Sequence, residues 1–270
     1  MAKISCLLVT SPVPERFGYF KRSLEAYCRQ THPDRQLIVV VDEGAPEHRT
    51  ALRDAIAACK RPDIEVVEPG GPRTLGALRN ASRAAARGEV LCQWDDDDLY
   101  HPERLAHQFA ALEESTSEAV LLQEVMQYFP QAHEMVWTNW ISTEAKGHPG
   151  TLMCWHDVPI CYPETGPSAT RGEDLEVVRQ LHARGRLTVL GGMPHLYIYV
   201  SHGKNTYDDG HHRMLARELS ISQGLLRRRE RQLRESLSVF DLGAEPITVM
   251  GNNGPAFTLE RAGARSPGPG

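Results

Sequence analysis

Glu89-Val90-Leu91-Cys92-Gln93-Trp94-Asp95-Asp96-Asp97-Asp98 runs from an apolar stretch straight into four carboxylates. The apolar part reads as a buried strand. Pro102 and Glu103, ahead of Arg104-Leu105, read as a helix start. The acids therefore fall at the carboxyl end of a strand, where open α/β sheets bind their ligands. Adjacent carboxylates repel one another, so the run needs positive partners or an ion. Hard oxygen ligands favour Mg²⁺ or Mn²⁺, which commonly bridge to substrate phosphates. A solvated acidic turn or a structural Ca²⁺ site would account for an isolated run. The strand before it and the pattern around it favour a ligand site.

That pattern alternates. Strands are expected at 4–10, 37–41 and 64–67, the second as a continuous apolar run of the kind buried on both faces. Helices are expected at 16–29, 47–60 and 75–87, the last ended by Gly88 as a C′ residue. Strands alternating with helices of this length imply βαβ units and a doubly wound, mostly parallel sheet. Beyond residue 118, strands are expected at 119–128 and 134–137, with a hairpin around Pro130. A Gly/Pro-rich loop covers 142–171, a helix 173–183, and strands 187–190 and 196–200. One long helix is expected over 210–237, with Leu215, Leu219, Leu226 and Leu233 on one side. Its Arg227-Arg228-Arg229 run reads as a solvated face, or as a contact with an anionic acceptor or membrane surface. The Gly/Pro-rich end, 261–270, is expected to be disordered.

Composition sets limits. The 270 residues suffice for one large domain, and 41% hydrophobic with 24% charged content is ordinary for a soluble chain. A net charge of −5 argues against general nucleic-acid binding. No apolar run is long enough to span a bilayer, and the N-terminus lacks a signal-peptide pattern. Six scattered cysteines point to a reduced, cytoplasmic setting rather than a disulfide framework. Cys154, His156 and Cys161 lack the paired spacing of a zinc site.

Chemistry-bearing residues then occur in a fixed order. Thr10-Ser11 ends the first strand, and Gln30-Thr31 precedes the second, which ends at Asp42. Arg73, Gly76 and Ala77-Leu78-Arg79-Asn80 come before Gly88-Glu89. Trp94 and the aspartates lead to Pro102 and Leu105. Glu173-Asp174 opens a helix, and Ser201-His202-Gly203-Lys204-Asn205 follows a strand. In this order and spacing the chain resembles the family 2 inverting glycosyltransferases of the GT-A fold, over residues 3–207 and most strongly over 3–110. One departure is Ser11-Pro12-Val13-Pro14, where the family commonly has Tyr-Asn.

The resemblance implies a GT-A α/β fold with a mixed central sheet and a C-terminal helical extension. Residues 1–208 would form the transferase domain, with a nucleotide-binding half at 1–115 and an acceptor and catalytic half at 116–208. Residues 209–260 would form the extension, whose helix also offers a homodimer surface. The implied activity is a metal-dependent, hexosyltransferase-type transfer from a nucleotide sugar, with UDP as the nucleotide and Mn²⁺ or Mg²⁺ as cofactor. The implied metal motif is Asp95-Asp96-Asp97. Asp97 would bind the ion, Asp95 would face sugar or ribose hydroxyls or bind metal through water, and Asp96 competes for either role. His202 would add a metal ligand and Lys204 a phosphate contact, on a loop that closes over the donor. Thr10, Ser11, Asp42, Arg73 and Arg79 would contact the nucleotide, with a structural salt bridge an equal use of Arg79. Asp174 would be the catalytic base beside Glu173. The helix dipole alone would also place acids there.

The acceptor stays open among a polysaccharide, a lipid-linked sugar, a small molecule and a peptide. Trp137, Trp140 and Trp155 suit core packing or stacking on a sugar. Tyr207, Asp208, Asp209, His211 and His212 are near enough to join the closing loop. A nucleotidyltransferase would share the layout, but its Gly-rich loop after the first strand is missing. A non-catalytic nucleotide-sugar or metal-binding module would have Asp174 turned away from the cleft.

Overall fold

The computed structural model describes residues 2–260. The expectation for the tail 261–270 lies outside the described residues. In chain order, β1 (Ile4–Thr10), α1 (Pro14–Cys28), β2 (Arg35–Val41), α2 (Pro46–Ala58), β3 (Ile64–Val67) and α3 (Leu75–Ala85) lead to β4 (Val90–Gln93). The aspartates follow β4 directly. After them come β5 (Leu99–Tyr100), α4 (Arg104–Glu114), β6 (Ala119–Leu122), β7 (Glu124–Phe129), β8 (Glu134–Asn139) and β9 (Met153–Trp155). The chain continues through α5 (Glu173–Ala183), β10 (Leu187–Leu190), β11 (Tyr197–Val200), α6 (Asp209–Leu219) and α7 (Gln223–Leu237). It closes with β12 (Ile247–Gly251) and β13 (Gly254–Leu259).

Seven strands form the central sheet in the order β10-β6-β9-β4-β1-β2-β3. All its pairings are parallel except those of β9, which runs antiparallel to both β4 and β6. β2 is buried at every position and β1 at all but one, as a parallel sheet covered on both faces requires. The carboxyl ends of β1 and β4 therefore lie together, one carrying Thr10 and the other the aspartates.

The helices start where local chemistry favours it. Pro14 and Pro46 occupy the first turns of α1 and α2, where no backbone donor is lost. Thr74, Asp208 and Ser222 cap α3, α6 and α7 with side-chain oxygens. Gly76 lets α3 press against the loop after Ile160: a Cβ there would lie 1.8 Å from the Pro163 carbonyl oxygen.

Several expected elements differ. α3 ends at Ala85, before Gly88, and Gly88 serves instead as a close-packing point, its amide donating to Ser5 Oγ at 2.8 Å. The stretch 119–128 is two strands in different sheets, because the chain crosses from β6 to β7 at Gln123. Around Pro130 the expected hairpin forms between β7 and β8. The helix expected over 210–237 is broken at Ser220–Ser222, where Ser220 bridges to Thr138 and Ser222 caps the next helix. β12 and β13 complete a second sheet, β13-β12-β8-β7-β11-β5. Residues after 208 thus form two helices and two strands, and they pack on this sheet through Leu226, Leu233, Ile247 and Val249. Arg227, Arg228 and Arg229 stand on the exposed face of α7. No helix among the described residues is long and apolar enough to cross a membrane.

Candidate active site

The four aspartates solve their mutual repulsion by alternating. Asp95 and Asp97 keep 21% and 14% of their side chains exposed, while Asp96 is 1% exposed and Asp98 is equally buried at 1%. Each has partners, and Arg16 is shared by two of them. Asp95 accepts from Arg79 at 2.9 Å and from Gln93 at 3.2 Å. Asp96 accepts from the Thr10 hydroxyl at 2.6 Å and from Arg16 Nε at 3.1 Å. Asp97 pairs with Arg16 and with His202 Nε2, each at 3.0 Å. Asp98 accepts the Val200 amide at 2.8 Å and contacts the Tyr197 hydroxyl.

These environments split the carboxyls. Burial, with the charge of Asp97, pushes Asp96 up despite Arg16 and Thr10. Burial also works against the charge on Asp97, but His202 and Arg16 outweigh it and hold that carboxyl below the usual range. Asp98, buried beside Asp97 and Asp95, is pushed well above it. Charge is thus kept at Asp97 and suppressed at Asp98. Beneath the loop, the fully buried Arg104 lies 4.8 Å from the Tyr100 ring centre and 5.2–5.4 Å from those of Tyr197 and Trp94. It adds a cation to the underside of the acidic run, with no carboxylate partner of its own among the described residues.

The remaining carboxylates arrive from α5. Gly172, at φ 79°, turns the chain into the helix. Glu173 is buried against Arg79 Nε at 2.7 Å, so Arg79 ties α5 to the aspartate loop. Asp174 accepts only its neighbour's amide, Leu175 N at 2.8 Å, among the described residues. Burial, then the charge of Glu173, raises its carboxyl to about 6.

A cavity of about 280 Å³ gathers these groups. Arg16, Arg79, the four aspartates, Glu173, Asp174 and Lys204 line it, with Tyr199 and Tyr207. Of the residues singled out in the sequence, Thr10 stands behind the cavity as the partner of Asp96. His202 stands behind Asp97, 5% exposed. Ser11 and Asp42 sit at the adjoining ends of β1 and β2, outside the cavity lining, and Asp42 accepts the Glu43 amide. Arg73 is exposed and folds onto the Pro69 and Gly70 carbonyls. Arg16 and Tyr199 carry no role in the sequence reading, and Tyr207 has there only a place near the closing loop. The only signal for Arg16 is a cation one helical turn after the first strand, a position that ordinarily faces solvent.

Asp97, a hard oxygen donor, and His202, a borderline nitrogen donor, converge, and Asp95 faces the same space. No group of three or more His, Cys, Asp or Glu able to hold a metal exists among the described residues. One or two carboxylates with substrate phosphates completing the shell is the usual pattern for Mg²⁺, and this set fits it. The fit has a condition. His202 Nδ1 accepts the Lys204 amide at 3.2 Å, so Nε2 carries the proton that faces Asp97. Nε2 can ligate only when that proton moves to Nδ1 and the Lys204 amide leaves it.

The model of the family described as glycosyl transferase family 2 matches residues 11–163. No curated protein matches the chain. S. aureus TarS 1-349 superimposes with a TM-score of 0.57 at 16% identity, over 88% of this chain and 74% of that one. The same protein in complex with UDP gives 0.57 at 15%, over 88% and 75%. The mannosyltransferase PcManGT from Pyrobaculum calidifontis, in complex with GDP-Man and Mn²⁺, gives 0.55 at 15%, over 88% and 64%. At such identities the likeness is one of fold.

Removing one partner of a buried ion pair strands the other. Arg79→Met should therefore lower stability by about 3–5 kcal/mol in urea unfolding, through the uncompensated Glu173 and Asp95. A loss below about 1 kcal/mol, the scale of an exposed pair, would contradict the bridging role.

Proposed function

The chain belongs to glycosyl transferase family 2, and on that premise we propose that its carboxylate-lined cavity takes a nucleoside-diphosphate sugar and passes the sugar to an acceptor hydroxyl with inversion. The observation that carries this reading is Asp174. It is a carboxylate with no cationic hydrogen-bond partner among the described residues, in the same cavity as the Asp95–Asp97 pair.

The acceptor oxygen would form a bond to the anomeric carbon as the bond to the diphosphate oxygen breaks. Asp174 takes the hydroxyl proton and the electron pair leaves with the diphosphate. One displacement from the opposite face inverts the configuration. Arg79 and Glu173 act on geometry: by joining α3, the aspartate loop and α5 they fix where Asp174 stands. A divalent ion held by Asp97, with His202 beside it, would neutralise the departing diphosphate. Lys204 reaches the same cavity and would meet a phosphate oxygen. UDP is the proposed nucleotide, supported by the UDP complex of TarS; Mn²⁺ use is supported by the PcManGT complex. A merely binding module is disfavoured by Asp174, which lines the cavity.

Calorimetric titration of UDP checks the metal. Binding should be at least tenfold tighter with Mn²⁺ or Mg²⁺ than with EDTA, and Asp97→Asn should erase the difference. Equal affinity in EDTA would remove the ion from the account.

Turnover checks the base. Asp174→Asn keeps shape and loses the proton acceptor, so kcat should fall by about 10² to 10⁴ with donor affinity unchanged. The wild-type pH profile should show the same group. Asp174 works as its anion, and its carboxyl sits at about 6. Hence kcat/KM should hold above pH 6 and fall about tenfold per unit below it. Near-normal transfer by Asp174→Asn would move the base to another carboxylate.

A further inference from the structure

On the far side of Asp174 lies a second cavity, also of about 280 Å³. Gly172, Asp174, Tyr199 and Tyr207 line both, so the two chambers meet at the carboxylate proposed as base. The walls differ in kind. The first is crowded with charge. The second is faced by Trp140, Leu175, Leu215 and the two tyrosines, and no lysine or arginine lines it. Arg171 comes close, but its guanidinium stacks on the Tyr207 ring at 3.9 Å and is not part of the lining.

Two histidines in this chamber, His148 and His212, are held toward the neutral form. His148 is 8% exposed and packed among Trp140, Tyr197 and Tyr199, with ring centres 4.7–5.3 Å away. Its Nδ1 has no hydrogen-bond partner among the described residues. Burial, aided by Arg104, lowers its pKa to about 3, so the ring is uncharged at working pH. His212, also lowered chiefly by burial, lies 3.4 Å from the Tyr199 hydroxyl. A site built this way offers hydrogen bonds and aromatic faces, with no lysine or arginine in its lining among the described residues. An anionic occupant would find no lysine or arginine in the lining and would face Asp174 at the junction.

Size narrows the occupant further. Pockets for drug-sized ligands run roughly 300–1,000 Å³, so this one suits a ligand of one or two rings, not a polymer segment. Tyr207, His212 and Leu215 also lie beyond residues 11–163, where the family match ends. This wall belongs to the chain's own second half.

We propose that this chamber is the acceptor subsite and that its occupant is a small, uncharged hydroxy compound with an apolar ring. The assignment rests on the reading of Asp174 as the base: the ring would lie among Trp140, Tyr199 and Tyr207, and the hydroxyl would point to Asp174. A phosphorylated or polyanionic acceptor is the alternative that the lining disfavours.

The test uses a matched pair, phenyl β-D-glucopyranoside and its 6-phosphate, titrated calorimetrically into the full chain saturated with UDP and Mn²⁺. The neutral glucoside should bind with millimolar or tighter affinity and the phosphate at least tenfold more weakly. Leu215→Trp, which fills the chamber, and His148→Phe, which keeps the ring and removes its nitrogens, should each weaken glucoside binding at least tenfold. Unchanged UDP affinity in both variants reports an intact fold and donor site. Tighter binding of the phosphate, no binding of the glucoside, or undiminished binding in both variants would overturn the proposal. Failure of UDP itself to bind would instead strike the donor reading, and the acceptor assignment would fall with it.

Discussion

Four adjacent carboxylates at one strand end are the constraint around which the rest is arranged. At contact distances, like charges cost several kcal/mol even at the effective dielectric of a protein surface, about 4 kcal/mol at 4 Å. The fold meets that cost by burying alternate side chains and surrounding the run with donors, Arg16 being shared by Asp96 and Asp97. Arg16 comes from α1, Arg79 from α3, Arg104 from α4, and His202 and the Val200 amide from the end of β11. Of these elements, α1, α3 and β11 also line the cavity. Neutralisation and assembly of the site are one process, because no partner is near in sequence except Arg104 and Gln93.

The division of labour within the run follows from burial. Asp96 and Asp98 are sealed, one under Thr10 and Arg16 and the other under Tyr197 and Val200, and both are pushed toward the neutral form. Asp95 and Asp97 face the cavity, and Asp97 is held as an anion. A run that leaves the metal register open in the sequence thus offers Asp97, held as an anion with His202 beside it. Two carboxylates are spent on holding the loop, and two remain to meet a ligand. His202 adds a coupling, since its Nδ1 and Nε2 are both engaged, and freeing Nε2 means disturbing the loop that carries Lys204.

Much of the frame is legible in the sequence for a plain reason. β2 and β3 are short apolar runs in a sheet covered on both faces, and α5 runs from Glu173 to Ala183, as its acids and apolar spacing indicate. β9 is not legible, because its three residues lie inside a Gly/Pro-rich stretch and owe their strand form to the flanking β4 and β6. The break between α6 and α7 is hidden by leucines that keep helical spacing through it, although Ser222 is a sound cap. In the site, the carboxylates Asp95, Asp97 and Asp174 do converge. The cations that make their convergence tolerable do not announce themselves: Arg16 looks like a solvent-facing helix residue, and Arg104 like any first-turn arginine. Partnership across 80 residues of chain, as between Arg16 and Asp96, leaves no local trace.

The central claim is that charge is concentrated at Asp97 and suppressed at its neighbours, so that a donor-bound cation has one place to sit. Anomalous diffraction at the manganese edge, from crystals grown with UDP and Mn²⁺, tests it most directly. The account predicts a single peak within bonding distance of Asp97 and beside His202 Nε2, with Asp96 still joined to Thr10 and Arg16. A peak on Asp96 or Asp98, with Asp97 left on Arg16 alone, would contradict it.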